Sequence, residues 1–331
     1  MKAWRVEEFG DPRTVWQLQE NAPESEPGPG ELKIKVEAAG LGLPDVLMCH
    51  NNYPLTPPLP FTPSQEAAGR VVAVGEGVDT GLIGQRVMGT TQFQAQCGGL
   101  AEFCLMHSAA ALPVPESMSG TEAAGFFIPY MTAWTGLARR GQLAEGETLL
   151  VLGASGSSGA AAVQLGKALG ARVIAVAGGP AKAEFCASIG ADEVIDHRSQ
   201  DITVTARELT DGKGVNMVFD PVGGKPGRAG FKALGFEGRF VIIGYASGEW
   251  AQISLVETLM TNISLVGAMP VGFSPDVMRG GVAQLIGFWE QGKLKLSSQQ
   301  VFDFDHALDA IKCIADGKVE GKVVVSLSSG D

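Results

Sequence analysis

Residues 147–178 read ETLLVLGASGSSGAAAVQLGKALGARVIAVAG. ETLLVLG (147–153) is an unbroken apolar run of strand length, SSGAAAVQLGKALG (157–170) spaces its apolar residues at the helical period, and ARVIAVAG (171–178) is apolar again. The reading is a β-α-β unit whose strands are parallel and buried on both faces. Gly153, Gly156 and Gly159 fall between the first strand and the helix. Glycines at a helix start let backbone N–H groups face a phosphate with no Cβ in the way, and the helix dipole adds a favourable field. The spacing is G-x-x-G-x-x-G rather than G-x-G-x-x-G, and alone it also describes a tight packing turn. Its place between buried strand and helix points to a dinucleotide pyrophosphate, with Ser155, Gly156, Ser157 and Ser158 as the cradle.

Downstream the alternation continues through a helix at 181–190 and strands at 192–196, 215–220, 238–244 and 263–269. This is the pattern of a doubly wound parallel sheet, placed over 125–269. Upstream, ELKIKVEAAG (31–40) and GRVVAVGEGV (69–78) read as strands of a partly antiparallel β-rich domain, 1–124. The Pro-rich stretches 21–30 and 54–63 read as surface loops. Helices near 275–291 and 305–316 and a strand at 321–327 are expected to return to that first domain, completing it with 270–331. The fold class is therefore α/β, with a β-rich domain beside a doubly wound parallel-sheet cofactor domain.

The end of the second strand selects the cofactor. An acidic residue there would hold the adenosine ribose hydroxyls of NAD, whereas this strand ends Ala177, Gly178, Gly179, Pro180, and the first charge to follow is Lys182. Without a carboxylate a 2′-phosphate is not repelled, and Lys182 offers it a positive partner, so NADPH is favoured. The bland alternative is a solvated helix-surface lysine. His197 and Arg198, after the third strand, are further candidates at the adenosine end. Asp220-Pro-Val-Gly223-Gly224 and Gly244-Tyr245-Ala246-Ser-Gly248 end two later strands, where glycines admit ribose and nicotinamide against the backbone. Tyr130, Trp134, Trp250 and Phe273 are candidates for an apolar lining, although such residues are more often core.

Composition narrows the function. Forty-five glycines in 331 residues, about 14%, is roughly twice average usage and implies many turns and close backbone approaches. A net charge of −11 without a basic block argues against nucleic acid and anionic membranes. No run approaches the ~18 apolar residues of a membrane span, and MKAWRVEEFG lacks a signal-peptide core. Five scattered cysteines are no disulfide framework and fit reduced thiols in the cytoplasm.

AAGLGLPDVL (38–47), HNNYP (50–54), PFTPSQEAAGRVVAVGEGV (60–78), YMTAW (130–134), the glycine turn with its flanking strand and helix, GADEVID (190–196), VFDPVGG (218–224) and GKVVV (321–325) resemble, in order and over essentially the whole chain, the zinc-free quinone oxidoreductase branch of the medium-chain dehydrogenase/reductases, including the zeta-crystallin type. The resemblance implies a GroES-like catalytic domain, a Rossmann domain for NADPH, and homodimers formed by pairing the last Rossmann strands, here ISLVGAM (263–269). It places Gly42 where zinc-dependent relatives have a ligand Cys, and Gln65 where they have a ligand His, so no metal is expected. Only Cys97 and Cys104 stand where a structural zinc would need closely spaced cysteines, and Cys49-His50 alone makes no site. It also matches Tyr53 to a cofactor-contacting tyrosine and to a proposed proton donor of enoyl-thioester reductases, and Thr132 to a nicotinamide contact. A phenol can donate to the oxygen that gains charge as hydride arrives, or simply pack on the cofactor. Gly42 stands where these quinone reductases have Asn, Pro44 precedes Asp45, and Ser64 replaces a glycine. The expected activity is NADPH-dependent hydride transfer to quinones or α,β-unsaturated carbonyl compounds. The alternatives are 2-enoyl-thioester reduction and an NADPH-binding structural or regulatory protein of the crystallin kind.

Overall fold

The computed structural model describes residues 1–296 and 299–327. It divides into two compact units, Met1–Ile128 with Gln299–Asp331, and Pro129–Ser298.

In the second unit, β1 (Thr148–Val151), β2 (Arg172–Ala177), β3 (Glu193–Asp196), β4 (Val215–Asp220), β5 (Leu234–Ile242) and β6 (Ser264–Gly267) form one sheet in the order β6-β5-β4-β1-β2-β3, every pairing parallel. The chain reverses direction across the sheet between β1 and β4, the switch point outside which ligands bind in such sheets. Leu149, Leu150, Val151, Val173, Ile174, Met217, Val218 and Phe219 are fully buried, as strands covered on both faces require. Helix α1 (Ser157–Ala168) lies close because Gly166 faces Leu149 and Val173, where a Cβ would come within 2.8 and 3.0 Å. The segment GKPGRAGFKA, with three glycines and a proline, is nevertheless helical over Gly224–Ala233. Gly230 faces Leu152 and Val218 and Gly227 faces the Asp220 carboxylate, so packing at the sheet overrides weak propensity.

The first unit contains a six-stranded sheet in the order Gln299–Asp303, Lys322–Ser326, Glu31–Leu41, Glu66–Val74, Arg86–Thr91, Phe103–Pro113. Glu31–Lys35 also pairs with Phe103–His107, so the last four strands close on one another. Trp4, Trp16, Leu41, Met48, Phe61, Ile311 and Val323 pack in its main core.

Two boundaries differ from the sequence reading. The first crossing falls at Ile128/Pro129, inside the helix Gly120–Trp134, rather than at residue 125. The return falls after residue 298 rather than at 270, because the helix Pro275–Glu290 packs within the second unit. There Trp134 Nε1–H donates to Gln284 Oε1 at 2.8 Å, Gly281 lies against the Trp134 ring, and Val282 and Leu285 are buried. Among the described residues no helix is long and apolar enough to cross a membrane.

Phe219 of β4 is fully buried, and its ring faces Gly136, where a Cβ would come within 2.9 Å. Phe219→Ala is expected to lower stability by about 3–5 kcal/mol in urea unfolding.

Candidate functional site

The glycine turn forms as the spacing suggests. Gly153 has φ +56° and Ala154 N–H donates to the Val176 carbonyl at 3.0 Å, tying the turn to β2. A Cβ built at Gly159 would lie 2.2 Å from the Gly153 carbonyl oxygen, so only glycine lets α1 begin this close to its own turn. No side chain caps Gly156, the N-cap of α1. The next amides, of Ser157, Ser158 and Gly159, have no intrahelical acceptors, and the dipole's positive end lies among them. Ser155 is buried and Gly156, Ser157 and Ser158 are half-buried. A diphosphate suits this helix start, where amides without intrahelical acceptors and the positive end of the dipole both favour an anion.

At the end of β2, Gly178 is crowded from β3. A Cβ there would meet His197 Nε2 at 2.8 Å and Arg198 Nε at 3.2 Å, and one at Gly179 would meet Arg198 Nη1 at 3.0 Å. Lys182 follows on the helix Pro180–Ser188, half-buried. The structure thus brings His197 and Arg198 against the Gly178–Gly179 backbone. It also shows an acid that inspection of β2 alone missed. Asp196, ending β3, accepts from Gly179 N–H at 2.9 Å and Arg198 N–H at 3.0 Å, and these amides hold its carboxyl below the usual range.

Beyond β4, Asp220 accepts from the amides of Val222 and Gly223 at 2.9 and 2.8 Å, while burial pushes its carboxyl up. The segment after β5 lies on this turn: Gly244 N–H donates to the Asp220 carbonyl, Ala246 N–H to Pro221 and Ser247 N–H to Val222. Gly223 has φ +68°, and a Cβ there would come 2.2 Å from the Glu249 carbonyl oxygen. Tyr245 is half-buried, as is Thr132 on the helix Gly120–Trp134. Tyr130 and Trp134 are core residues, and burial raises the Tyr130 phenol. Phe273 is half-exposed and Trp250 exposed.

The first unit holds a buried charge cluster around Gly42. Lys322 Nζ lies 2.5 Å from Glu66 Oε1, and Glu66 Oε2 accepts Ile128 N–H at 2.7 Å. A Cβ at Gly42 would sit 3.8 Å from Lys322 Nζ. Asp45 receives Gly42 N–H at 2.9 Å and Ser64 N–H at 2.8 Å, and burial pushes its carboxyl up to about 6. Ser64 has φ +78°, a left-handed conformation that glycine adopts more readily than serine. Tyr53 packs half-buried against the main core of this unit, its carbonyl accepting Thr56 N–H and Oγ–H at 3.0 and 2.7 Å. The Cys49 thiol is buried, accepts Trp16 Nε1–H at 3.1 Å and is pushed up to about 12, whereas His50 is exposed. Among the described residues no group of three or more His, Cys, Asp or Glu is placed to hold a metal.

Residues 28–136 match the alcohol dehydrogenase GroES-like domain and residues 159–291 the zinc-binding dehydrogenase domain. The chain is 35% identical over 306 residues to a quinone oxidoreductase-like protein 2 homolog of Nematostella vectensis, covering 90% of this chain and 82% of that one. A mycobacterial protein solved with NADPH superposes with a TM-score of 0.90 at 28% identity, covering 99% of this chain and all of its own. The CurK enoyl reductase superposes with a TM-score of 0.83 at 27% identity, covering 99% of each chain.

Asp45 gives the first unit a titration signature. Its folded pKa lies near 6 against an ordinary 3.8, so ionising it opposes folding. The stability this provides is fully present below about pH 4 and is lost as pH rises through about 6, a change of about 3 kcal/mol. Urea unfolding from pH 4 to 7 is expected to show this loss in the wild type, and a flatter profile over the same range in Asp45→Asn.

Proposed function

Because the chain belongs to the zinc-free quinone oxidoreductase branch of the medium-chain dehydrogenase/reductases, we propose that it is an NADPH-dependent reductase of quinones or α,β-unsaturated carbonyl compounds. The observation that carries this reading is the uncapped helix start at Gly156, with Arg198 and His197 against the Gly178–Gly179 backbone at the end of the next strand. Ser155, Gly156, Ser157 and Ser158 hold the pyrophosphate, with the amides of Ser157 and Ser158 as donors, since Gly156 N–H is taken by the Gly153 carbonyl. Lys182 and Arg198, with His197, take the 2′-phosphate at Gly178. Gly223, Gly244, Tyr245, Ala246 and Thr132 serve the nicotinamide half. When bound, NADPH supplies a hydride to an electron-poor carbon. Gly42 and Gln65 offer neither thiolate nor imidazole, so stabilising the charge that develops on the acceptor oxygen falls to hydrogen-bond donors, and Tyr53 is the donor we assign. The likeness to an enoyl reductase supports 2-enoyl-thioester reduction as the second reading, in which the Tyr53 phenol gives its proton to the enolate.

Steady-state assays with quinones, enones and 2-enoyl thioesters test the proposal. NADPH oxidation insensitive to chelators is expected, and the ranking of kcat/KM separates the two enzyme readings. Tight NADPH binding without turnover on any acceptor leaves the crystallin-like, non-enzymatic role instead. Lys182→Ala should raise the NADPH KM by about one to two orders of magnitude, the loss of a charge-assisted hydrogen bond of roughly 1.5–3 kcal/mol, with NADH nearly unaffected. Equal weakening of both cofactors would make Lys182 a surface lysine. We also propose a homodimer through β6, which ends its sheet and exposes Leu265, with Met269 exposed beyond it. Light scattering at micromolar concentration should give twice the chain mass.

A further inference from the structure

Trp250 is 51% exposed, whereas Trp4, Trp16 and Trp134 are buried. Its indole lies on the Tyr245 ring, with centroids 4.5 Å apart and planes at 41°. An aromatic pair held this close needs a rigid support, and the loop supplies one. Ala246 and Ser247 donate their amides to the Pro221 and Val222 carbonyls at 3.0 and 2.9 Å, and Gly248 N–H closes a turn onto Tyr245 at 2.8 Å. The Glu249 carbonyl, immediately before the indole, packs on Gly223. Both rings therefore sit on the turns that end β4 and β5, at the C-terminal edge of the sheet where the glycine cradle also opens. A large apolar face left in water on a rigid ligand-binding edge lowers its free energy by accepting another flat, weakly hydrated surface.

We propose that Tyr245 and Trp250 form a stacking platform for a planar acceptor ring and that Trp250 sets the preference for fused-ring quinones over aliphatic enones. The inference rests on the reductase reading and names its substrate class. An electron-rich indole and an electron-poor quinone ring have complementary quadrupoles, and a fused ring covers the indole face. A short aliphatic enone has neither the area nor the flat π-face and gains little from the platform.

The test compares the wild type with Trp250→Leu and Trp250→Phe, using 9,10-phenanthrenequinone, whose ring carbons are blocked against thiol addition, and 3-penten-2-one. In Trp250→Leu the ratio of kcat/KM for the quinone to that for the enone should fall about tenfold, mainly through the quinone KM, and Trp250→Phe should recover most of it. NADPH dissociation constants measured alongside should change less than twofold. An equal fall for both acceptors, or a weakened NADPH site, would mean that Trp250 only supports Tyr245 and would overturn the inference. So would a shift of Trp250→Leu to monomer with an unchanged ratio, which would make the indole a seat for a second copy. Calorimetric titration of phenanthrenequinone without NADPH separates the two proposals. A wild type that turns over nothing, yet binds the quinone about tenfold more tightly than Trp250→Leu, keeps the platform and sinks the reductase reading. Equal quinone binding by both proteins sinks the platform.

Discussion

Helix α1 meets the turn before it backbone to backbone, at Gly159 against the Gly153 carbonyl. Everything at the ligand edge depends on that approach. With a methyl group at 159 the helix start must shift, and the free amides and the positive end of the dipole move with it away from the mouth between β1 and β2. The same economy of side chain recurs where the loop after β5 lies on Gly223, so that two loops and a helix share one small region of the sheet edge. The high glycine content is the compositional trace of such contacts.

The first unit solves a different problem, the burial of charge inside an apolar sheet. Glu66 is fully buried, and its two oxygens are divided between the Lys322 ammonium and the Ile128 amide. A buried ion pair adds little net stability over a well-packed apolar pair, but removing one partner alone leaves an uncompensated charge. The pair therefore specifies an arrangement: the strand Lys322–Ser326, the strand Glu66–Val74 and the helix Gly120–Trp134 at Ile128 must come together. With Gly42 beside Lys322 and Gln65 beside Glu66, the region keeps a polar character with neither thiolate nor imidazole at either position.

Legibility from sequence followed periodicity. β1, α1 and β2 stand where the apolar runs of 147–178 place them, as does the final strand Lys322–Ser326, because buried runs and glycine stops carry a local signal. Arg86–Thr91 and the alanine-rich Phe103–Pro113 escaped the reading, since their strand character comes from pairing with distant segments. The return boundary was misplaced for a similar reason. Nothing within 275–290 announces which unit covers its apolar face, and the contact with Trp134 is a tertiary fact. At the site, the glycine turn and the helix start after it were readable because one segment builds them. The crowding of Gly178 by Arg198, and Asp196 bonded to Gly179, bring β3 against β2 and needed the fold. Glu66 and Lys322 were visible as single charges in apolar strands, a hint that pairs them with nothing until the strands are placed.

The nesting of one unit inside the other imposes an order on synthesis. The ribosome usually releases domains that can fold from the N-terminus onward. Here the first segment, Met1–Ile128, emerges without the strands Gln299–Asp303 and Lys322–Ser326 that extend its sheet and without the counter-charge of Glu66. Residues 129–298, by contrast, are contiguous, and their parallel sheet is complete before either strand has been translated. Residues 129–298 thus have their full set of strands before the strand that carries Lys322 is made, and until then the N-terminal segment lacks the partner of its buried Glu66.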